Sequence, residues 1–212
     1  MSQENTSRNI ASRLLDIEAI KLSPRKPFTW SSGWKSPIYC DNRLALSYPE
    51  TRKYIKEQMA VLIRERFPDA EAIAGVATAG IPHGALVADV LDLPFVYVRS
   101  KPKEHGLENL IEGKITKRQK VVVLEDLVST GGSSLKAADA LKKAGFKVLG
   151  MVAIFTYGFD LARENFEKAG LPLYTLSNYA DMLKYAEDRK IVNEKDLLLL
   201  KSWRVDPADW GQ

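Results

Sequence analysis

Residues Val121 to Leu124 form an unbroken β-branched and aliphatic run, and Glu125, Asp126 and the stretch Leu127-Val-Ser-Thr-Gly-Gly-Ser-Ser134 follow it directly. Such a run predicts a central parallel strand covered on both faces. What comes next narrows the choice of fold sharply, because the strand delivers adjacent carboxylates to a turn rich in glycine and hydroxyls, just before a helical pattern. Gly131 and Gly132 allow a tight turn. Ser129, Thr130, Ser133 and Ser134 place hydroxyls beside the free N–H groups of a helix start, where a phosphate fits. Carboxylates next to a phosphate repel it unless they accept hydrogen bonds from sugar hydroxyls or face a metal ion. The order of parts therefore points to a phosphorylated sugar.

The rest of the chain supplies a frame for that strand. Short apolar runs at Ala72 to Val76, Phe95 to Val98 and Val148 to Phe155 alternate with helical patterns at Ile81 to Leu91 and Ser134 to Ala144. This alternation predicts an α/β fold, a mainly parallel, doubly wound sheet flanked by helices, with ligands outside the carboxyl ends of its strands. Upstream, Ile10, Leu14, Ile17 and Ile20 predict an amphipathic helix over Arg8 to Ile20. A Pro-, Ser- and Gly-rich stretch from Ser23 to Pro37, with short strands around Phe28 to Trp30 and Ile38 to Cys40, reads as a hood. Tyr48 to Phe67 reads as a second helix, Pro172 to Leu176 as a further strand, and Tyr179 to Arg189 and Asn193 to Trp203 as helices. The organisation expected is an N-terminal helix and hood over 1–45, a core over 46–180 and a helical extension over 181–212, within a single overall domain.

With 212 residues the chain can bury a sizeable core. A net charge of +4 is modest for a nucleic-acid binder and suits an anionic small substrate. No apolar run approaches the roughly 20 residues that span a bilayer. The segment from Met1 to Ile10 holds no apolar signal core, and Cys40 is the only cysteine, so neither nucleic acid nor membrane is expected as a partner and a cytoplasmic location is. Triad hydrolase chemistry has no G-x-S-x-G elbow to rest on. His83 and His105 are the only histidines and neither sits in a zinc-type spacing, so no dedicated metal cage is expected.

Two more segments are candidates for the site. Gly75-Val-Ala-Thr-Ala-Gly80-Ile-Pro-His-Gly84 follows a strand, and its glycines allow close approach to an anion or simply close packing. It is not a nucleotide P-loop, because Ile81 and Pro82 stand where Lys and Ser or Thr are needed, and G-x-G spacing is absent. Between Val98 and Lys120 runs a long connection with Arg99, Lys101, Lys103 and His105 within seven residues. Alone it reads as a solvated ribbon. Beside a phosphate turn, it reads as a loop that closes over pyrophosphate.

The segment from Val121 to Ser134 closely resembles the fingerprint by which type I phosphoribosyltransferases hold 5-phosphoribosyl 1-pyrophosphate. Two further stretches narrow the likeness to the orotate phosphoribosyltransferases: Arg99 to Gly106, and Phe28-Thr-Trp-Ser-Ser-Gly-Trp-Lys-Ser-Pro-Ile-Tyr-Cys-Asp-Asn-Arg43, which is similar to the Ser-Gly-x-Lys-Ser-Pro hood motif of that family. By itself the hood stretch reads equally as a β-hairpin held by Trp30, Trp34 and Tyr39.

The resemblance implies a division of labour. Glu125 and Asp126 contact the ribose hydroxyls, Ser129, Thr130, Gly131, Gly132 and Ser133 cradle the 5-phosphate, and Leu127 and Val128 belong to the same binding stretch. Arg99, Lys101, Lys103 and His105 hold pyrophosphate, with Lys103, His105, Arg99 and Asp126 in catalytic roles. Ser32, Gly33, Lys35 and Tyr39, joined by Ser129, hold orotate. It further implies Mg2+ bound mainly through the sugar pyrophosphate, and a homodimer in which the loop 99–114 is shared across subunits.

Departures from the family pattern bear on the base. Ser31, Ala79 and Ser100 stand where some members have basic residues, and at Phe155-Thr-Tyr-Gly158 many members place an Arg that pairs with the orotate carboxylate. Arg43, Arg163 or hood backbone groups are the remaining candidates for that partner. A transferase for uracil or a purine would keep the 121–134 pattern and change the hood. A regulator that only senses the activated sugar would lose the loop cations, which this chain keeps.

Overall fold

The computed structural model describes residues 3–30, 33–101, 110–114 and 116–210. The chain begins with α1 (Gln3–Asp16) and β1 (Ile20–Leu22). A hairpin of β2 (Phe28–Thr29) and β3 (Lys35–Ser36) leads to β4 (Ile38–Cys40), a 3-10 turn (Asn42–Ser47) and α2 (Pro49–Arg66). Then follow β5 (Ala72–Val76), α3 (Gly80–Leu91), β6 (Phe95–Val98), β7 (Ile111–Glu112), β8 (Lys120–Val128), α4 (Gly132–Lys143), β9 (Lys147–Thr156), α5 (Asp160–Lys168), β10 (Leu173–Asn178), α6 (Tyr179–Asp188) and α7 (Glu194–Val205).

Strands β5 to β10 form one sheet in the order β10-β9-β8-β5-β6-β7. Every pairing is parallel except that of β7 with β6. The chain builds outward from β5 to β6 and then crosses back to place β8 on the other side of β5. The strand order reverses there, and at such a switch point the connections leave a crevice at the carboxyl ends. Alternate residues of β8 serve opposite faces: Val122 and Leu124 join the apolar cluster that includes Ile10, Met59 and Trp203, while Val121 and Val123 join the cluster of Ala138, Leu141 and Phe146. Both faces are dry, as the unbroken apolar run predicts.

The hood and the C-terminal helix belong to the first of these clusters, through Ile20, Ile38 and Trp203. The first helix is shorter at its end than its periodicity predicts. Glu18 takes a left-handed conformation with φ 55°, which stops the helix, and Ile20 pairs with Cys40 in an antiparallel ladder instead. Helix α5, the short strands β1, β3 and β7 and the 3-10 turn have no counterpart in the sequence reading. Among the described residues no helix is long and apolar enough to cross a membrane.

Candidate active site

Strand β8 carries Glu125 and Asp126 into the crevice, and both are largely enclosed. Glu125 is only 6% exposed, and its carboxylate accepts from the Asp126 N–H at 3.1 Å and the Ser134 hydroxyl at 3.2 Å. Burial, reinforced by the charge of its neighbour, pushes the Glu125 carboxyl well above its ordinary value, and burial likewise raises Asp126. Two desolvated carboxyls side by side are held there by the strand at a cost in stability, as is common where a site needs them.

The turn after β8 is shaped to approach an anion. Gly131 has φ 81°, and a Cβ on it would lie 2.7 Å from the Phe166 ring, so the position accepts glycine alone. Helix α4 then starts at Gly132 with no side-chain cap and no acidic residue in its first turn, leaving its N–H groups for a ligand. Asn165 on α5 donates to the Thr130 carbonyl at 3.0 Å and so anchors the turn from the side. Val128 contributes no side chain to the crevice: it is fully buried, and its carbonyl accepts from the Thr156 hydroxyl at 2.9 Å.

The Gly75 to Gly84 turn sits against this end of β8. A Cβ on Gly80 would lie 2.6 Å from the Leu124 carbonyl oxygen, so the start of α3 touches the backbone of β8 just before the carboxylates. His83 on α3 is 2% exposed, and its Nε2–H donates to the Asn42 carbonyl at 3.3 Å. Burial lowers its pKa, which keeps the ring neutral. Asn42 in turn donates from Nδ2 to the Asp126 carbonyl at 2.8 Å and accepts from the Cys40 thiol at 3.4 Å. Asn42 thus links the hood to the carboxylate strand through its side-chain amide and to α3 through its backbone carbonyl.

Of the four loop cations, Arg99 and Lys101 are described. The Arg99 N–H donates to the Leu110 carbonyl at 2.8 Å, and its side-chain Nη1 is sealed from solvent 3.7 Å from Glu112 Oε1, too far for a hydrogen bond. Lys101 is exposed. Lys103 and His105 lie outside the described residues, as does Ser32 of the hood.

Between the hood and the turn after β8 lies a cavity of about 720 Å³, within the usual range for small-molecule sites. Thr29, Trp30, Trp34, Tyr39 and Cys40 form its hood side, and Leu127, Ser129, Thr130 and Tyr157 its sheet side. Tyr39 and Ser129, both implied for the base, line this cavity together, and Leu127 joins them. Gly33, with φ 89°, shapes the hairpin, and Lys35 donates to the Thr29 hydroxyl at 2.8 Å; neither belongs to the described wall. Arg43 is bound by both carboxylate oxygens of Asp41, at 2.6 and 2.8 Å, and the exposed Arg163 pairs with Glu167 and Asp160 beside a separate groove, so neither lies on that wall. Trp30 and Trp34, read from the sequence as supports of the hairpin, are wall residues, and so is Tyr157, to which the sequence reading gave no role; its only signal was its aromatic character at the strand end.

Residues 49–170 match the family model of the phosphoribosyl transferase domain. The chain is 57% identical over 206 residues, 97% of its length and 99% of the relative's, to an orotate phosphoribosyltransferase of Cytophaga hutchinsonii. Its fold is similar to that of orotate phosphoribosyltransferase from Aeropyrum pernix, with a TM-score of 0.75 and 27% identity over 87% of this chain and 99% of that one. It is also similar to Leishmania donovani UMP synthase, with a TM-score of 0.80 and 24% identity over 94% of this chain and 42% of that one, a likeness of fold alone.

Proposed function

The chain belongs to the orotate phosphoribosyltransferase family, and from that premise we propose that it transfers the phosphoribosyl group of 5-phosphoribosyl 1-pyrophosphate to orotate, giving orotidine 5'-monophosphate and pyrophosphate in pyrimidine nucleotide synthesis. The observation that supports this most is the placing of an aromatic-walled cavity directly against Ser129 and Thr130. A flat base in that cavity and a 5-phosphate at the start of α4 leave the ribose to span the end of β8, beside Glu125 and Asp126.

In the reaction a ring nitrogen of orotate bonds to the anomeric carbon while the bond from that carbon to pyrophosphate breaks, and the leaving group keeps the electron pair. Charge therefore grows on pyrophosphate through an oxocarbenium-like transition state. Cations around it stabilise that state more than the ground state. Arg99, Lys101, Lys103 and His105 are assigned to this task. Ser129 to Ser133 are assigned to the 5-phosphate, and Asp126 with Glu125 to the ribose. Ser32, Gly33, Lys35, Tyr39 and Ser129 are assigned to orotate, Gly33 and Lys35 acting through the shape of the hairpin.

Magnesium fits as an ion carried by the sugar pyrophosphate. The carboxylate oxygens of Asp126 and Glu125 are hard donors that suit it, and among the described residues no group of three Asp, Glu, His or Cys side chains forms a cage. When bound, the ion offsets charge on the pyrophosphate, and Asp126 is the residue that would hold it beside the ribose. A homodimer sharing loop 99–114 and a cytoplasmic location complete the proposal.

The test mixes purified protein with magnesium and 5-phosphoribosyl 1-pyrophosphate and follows loss of orotate absorbance, with uracil, hypoxanthine and adenine as controls. Turnover with orotate alone is the expected result. Turnover with another base alone would keep the sugar-phosphate site and discard the base, and silence with all four would favour a sensor of the activated sugar.

A further inference from the structure

Tyr157 directly follows β9 and lines the cavity, yet it is only 2% exposed. Its ring is enclosed by Trp30, Phe159, Trp203 and Phe155 at centroid distances of 5.1, 5.5, 5.5 and 5.9 Å. These contacts would hold a phenyl ring equally well, so packing gives no reason for the hydroxyl. Tyr179, in the same aromatic cluster, has its hydroxyl satisfied by the Leu200 carbonyl at 3.0 Å. No described residue hydrogen-bonds the Tyr157 hydroxyl. Native proteins rarely leave such a group without a partner. Nor is the atom sealed inside: among the described residues the one sealed side-chain N or O without a partner is Arg99 Nη1. The surface that Tyr157 keeps is therefore on the cavity.

Resting on the orotate reading above, we infer that the Tyr157 hydroxyl donates a hydrogen bond to an exocyclic oxygen of the bound base and is a specificity-determining residue of this site. Burial, with the charge of Asp126, pushes the phenol pKa well above its ordinary value, so the group stays a donor. The described wall carries no Lys or Arg side chain, which leaves neutral donors to meet the oxygens of the base. Two kinds of oxygen share this chemistry: those of the carboxylate, which orotate has and uracil lacks, and those of the ring carbonyls, which both have.

The experiment compares wild type with Tyr157→Phe, measuring kcat, both KM values, the melting temperature and the Ki of uracil as a competitor of orotate. The expected result is an orotate KM raised by about tenfold, the effect of losing one hydrogen bond to a charged or strongly polar oxygen. The KM for 5-phosphoribosyl 1-pyrophosphate stays the same, and the melting temperature is unchanged or higher because an unpartnered hydroxyl has been removed. An unchanged uracil Ki assigns the bond to the carboxylate, and a Ki weakened by the same factor assigns it to a ring carbonyl. An orotate KM that does not move overturns the inference, as does a lowered melting temperature with equal losses for both substrates. Failure of the wild type with orotate would instead remove the underlying reading, and it is seen before any variant is made.

Discussion

Asn42 and Asp126 are 84 residues apart in sequence, and the Asn42 side-chain amide donates to the Asp126 carbonyl at 2.8 Å. Asn42 is fully buried, and its own carbonyl receives the His83 Nε2–H. The end of the hood is thereby tied to the strand that carries Glu125 and Asp126, and the start of α3 is held to the hood. The proposed base cavity and sugar site are thus tied together through one buried residue.

Replacing that side chain tests the link. Asn42→Ala leaves the buried Asp126 carbonyl without its donor, which costs about 1–3 kcal/mol. Urea unfolding is expected to report that loss, and steady-state kinetics a rise in KM for both orotate and 5-phosphoribosyl 1-pyrophosphate. A stability loss with both KM values intact would mean that Asn42 supports the fold without positioning the site.

The carboxylate pair makes a pH prediction. Burial raises Glu125 above its ordinary 4.5, so the folded chain binds protons more tightly than the unfolded chain. Stability from this group is then fully present below 4.5 and is lost as pH rises through the folded value. Glu125→Gln removes the buried charge and keeps an oxygen for Ser134. Its melting temperature is expected to exceed that of wild type at pH 8, with the gap closing by pH 4, while turnover falls. A gap independent of pH would show that the charge is not the cause.

The sheet and the carboxylates were legible because both signals are local. Val121 to Leu124 and Ala72 to Val76 are apolar without a break, as strands buried on both faces must be, and Glu125-Asp126 sits at the end of one of them. Helix α5 was not legible because it spans only nine residues and buries only Ala162 and Phe166, too few apolar positions to mark a helical face in the sequence. The partners of Asn42 and Trp203 lie 84 and 168 residues away, and no local pattern records such a pairing. At the end of β9 the sequence reading looked for a cation and found none. What occupies the cavity wall there is the ring of Tyr157, whose role depends on packing that only the fold reveals.

Glycine positions in the turns that follow β5 and β8 separate by what surrounds them. A Cβ at Gly80 would lie 2.6 Å from the Leu124 carbonyl oxygen, a backbone atom that cannot swing aside. Gly80→Ala is expected to lower the melting temperature and cut kcat/KM for 5-phosphoribosyl 1-pyrophosphate by about tenfold or more, because displaced loops misplace the reacting groups. At Gly132 a Cβ would meet nothing within 4 Å, and Gly132→Ala is expected to leave the melting temperature unchanged. Equal melting temperatures for the two variants would contradict this account of the close approach.

Lys103 carries the electrostatic part of the proposed mechanism. Removing one charge aimed at a developing anion typically costs about 100-fold to 1,000-fold in turnover. Lys103→Ala is therefore expected to lose kcat on that scale with its circular dichroism spectrum and melting temperature intact. Wild-type turnover by this variant would take Lys103 out of the mechanism.

Trp203 joins the C-terminal helix to the cavity wall through Trp30 and Tyr157 and yields the most discriminating pair of variants. Its ring is fully buried, meets Trp30, Tyr157, Phe159 and Tyr179 at centroid distances of 5.3 to 5.6 Å, and its Nε1–H donates to the Lys35 carbonyl at 3.2 Å. Trp203→Ala removes the whole hub and is expected to cost about 3–5 kcal/mol, a large part of the stability of an ordinary domain. Trp203→Phe keeps an aromatic ring in the cluster and deletes the bond to the hood hairpin, a change of about 0.5–1.5 kcal/mol. If α7 braces the hairpin over the base, the Phe variant raises KM for orotate and leaves KM for 5-phosphoribosyl 1-pyrophosphate unchanged, because the phosphate turn is anchored independently by Asn165 on α5. Parallel rises in both constants would instead reduce Trp203 to a general support of the core.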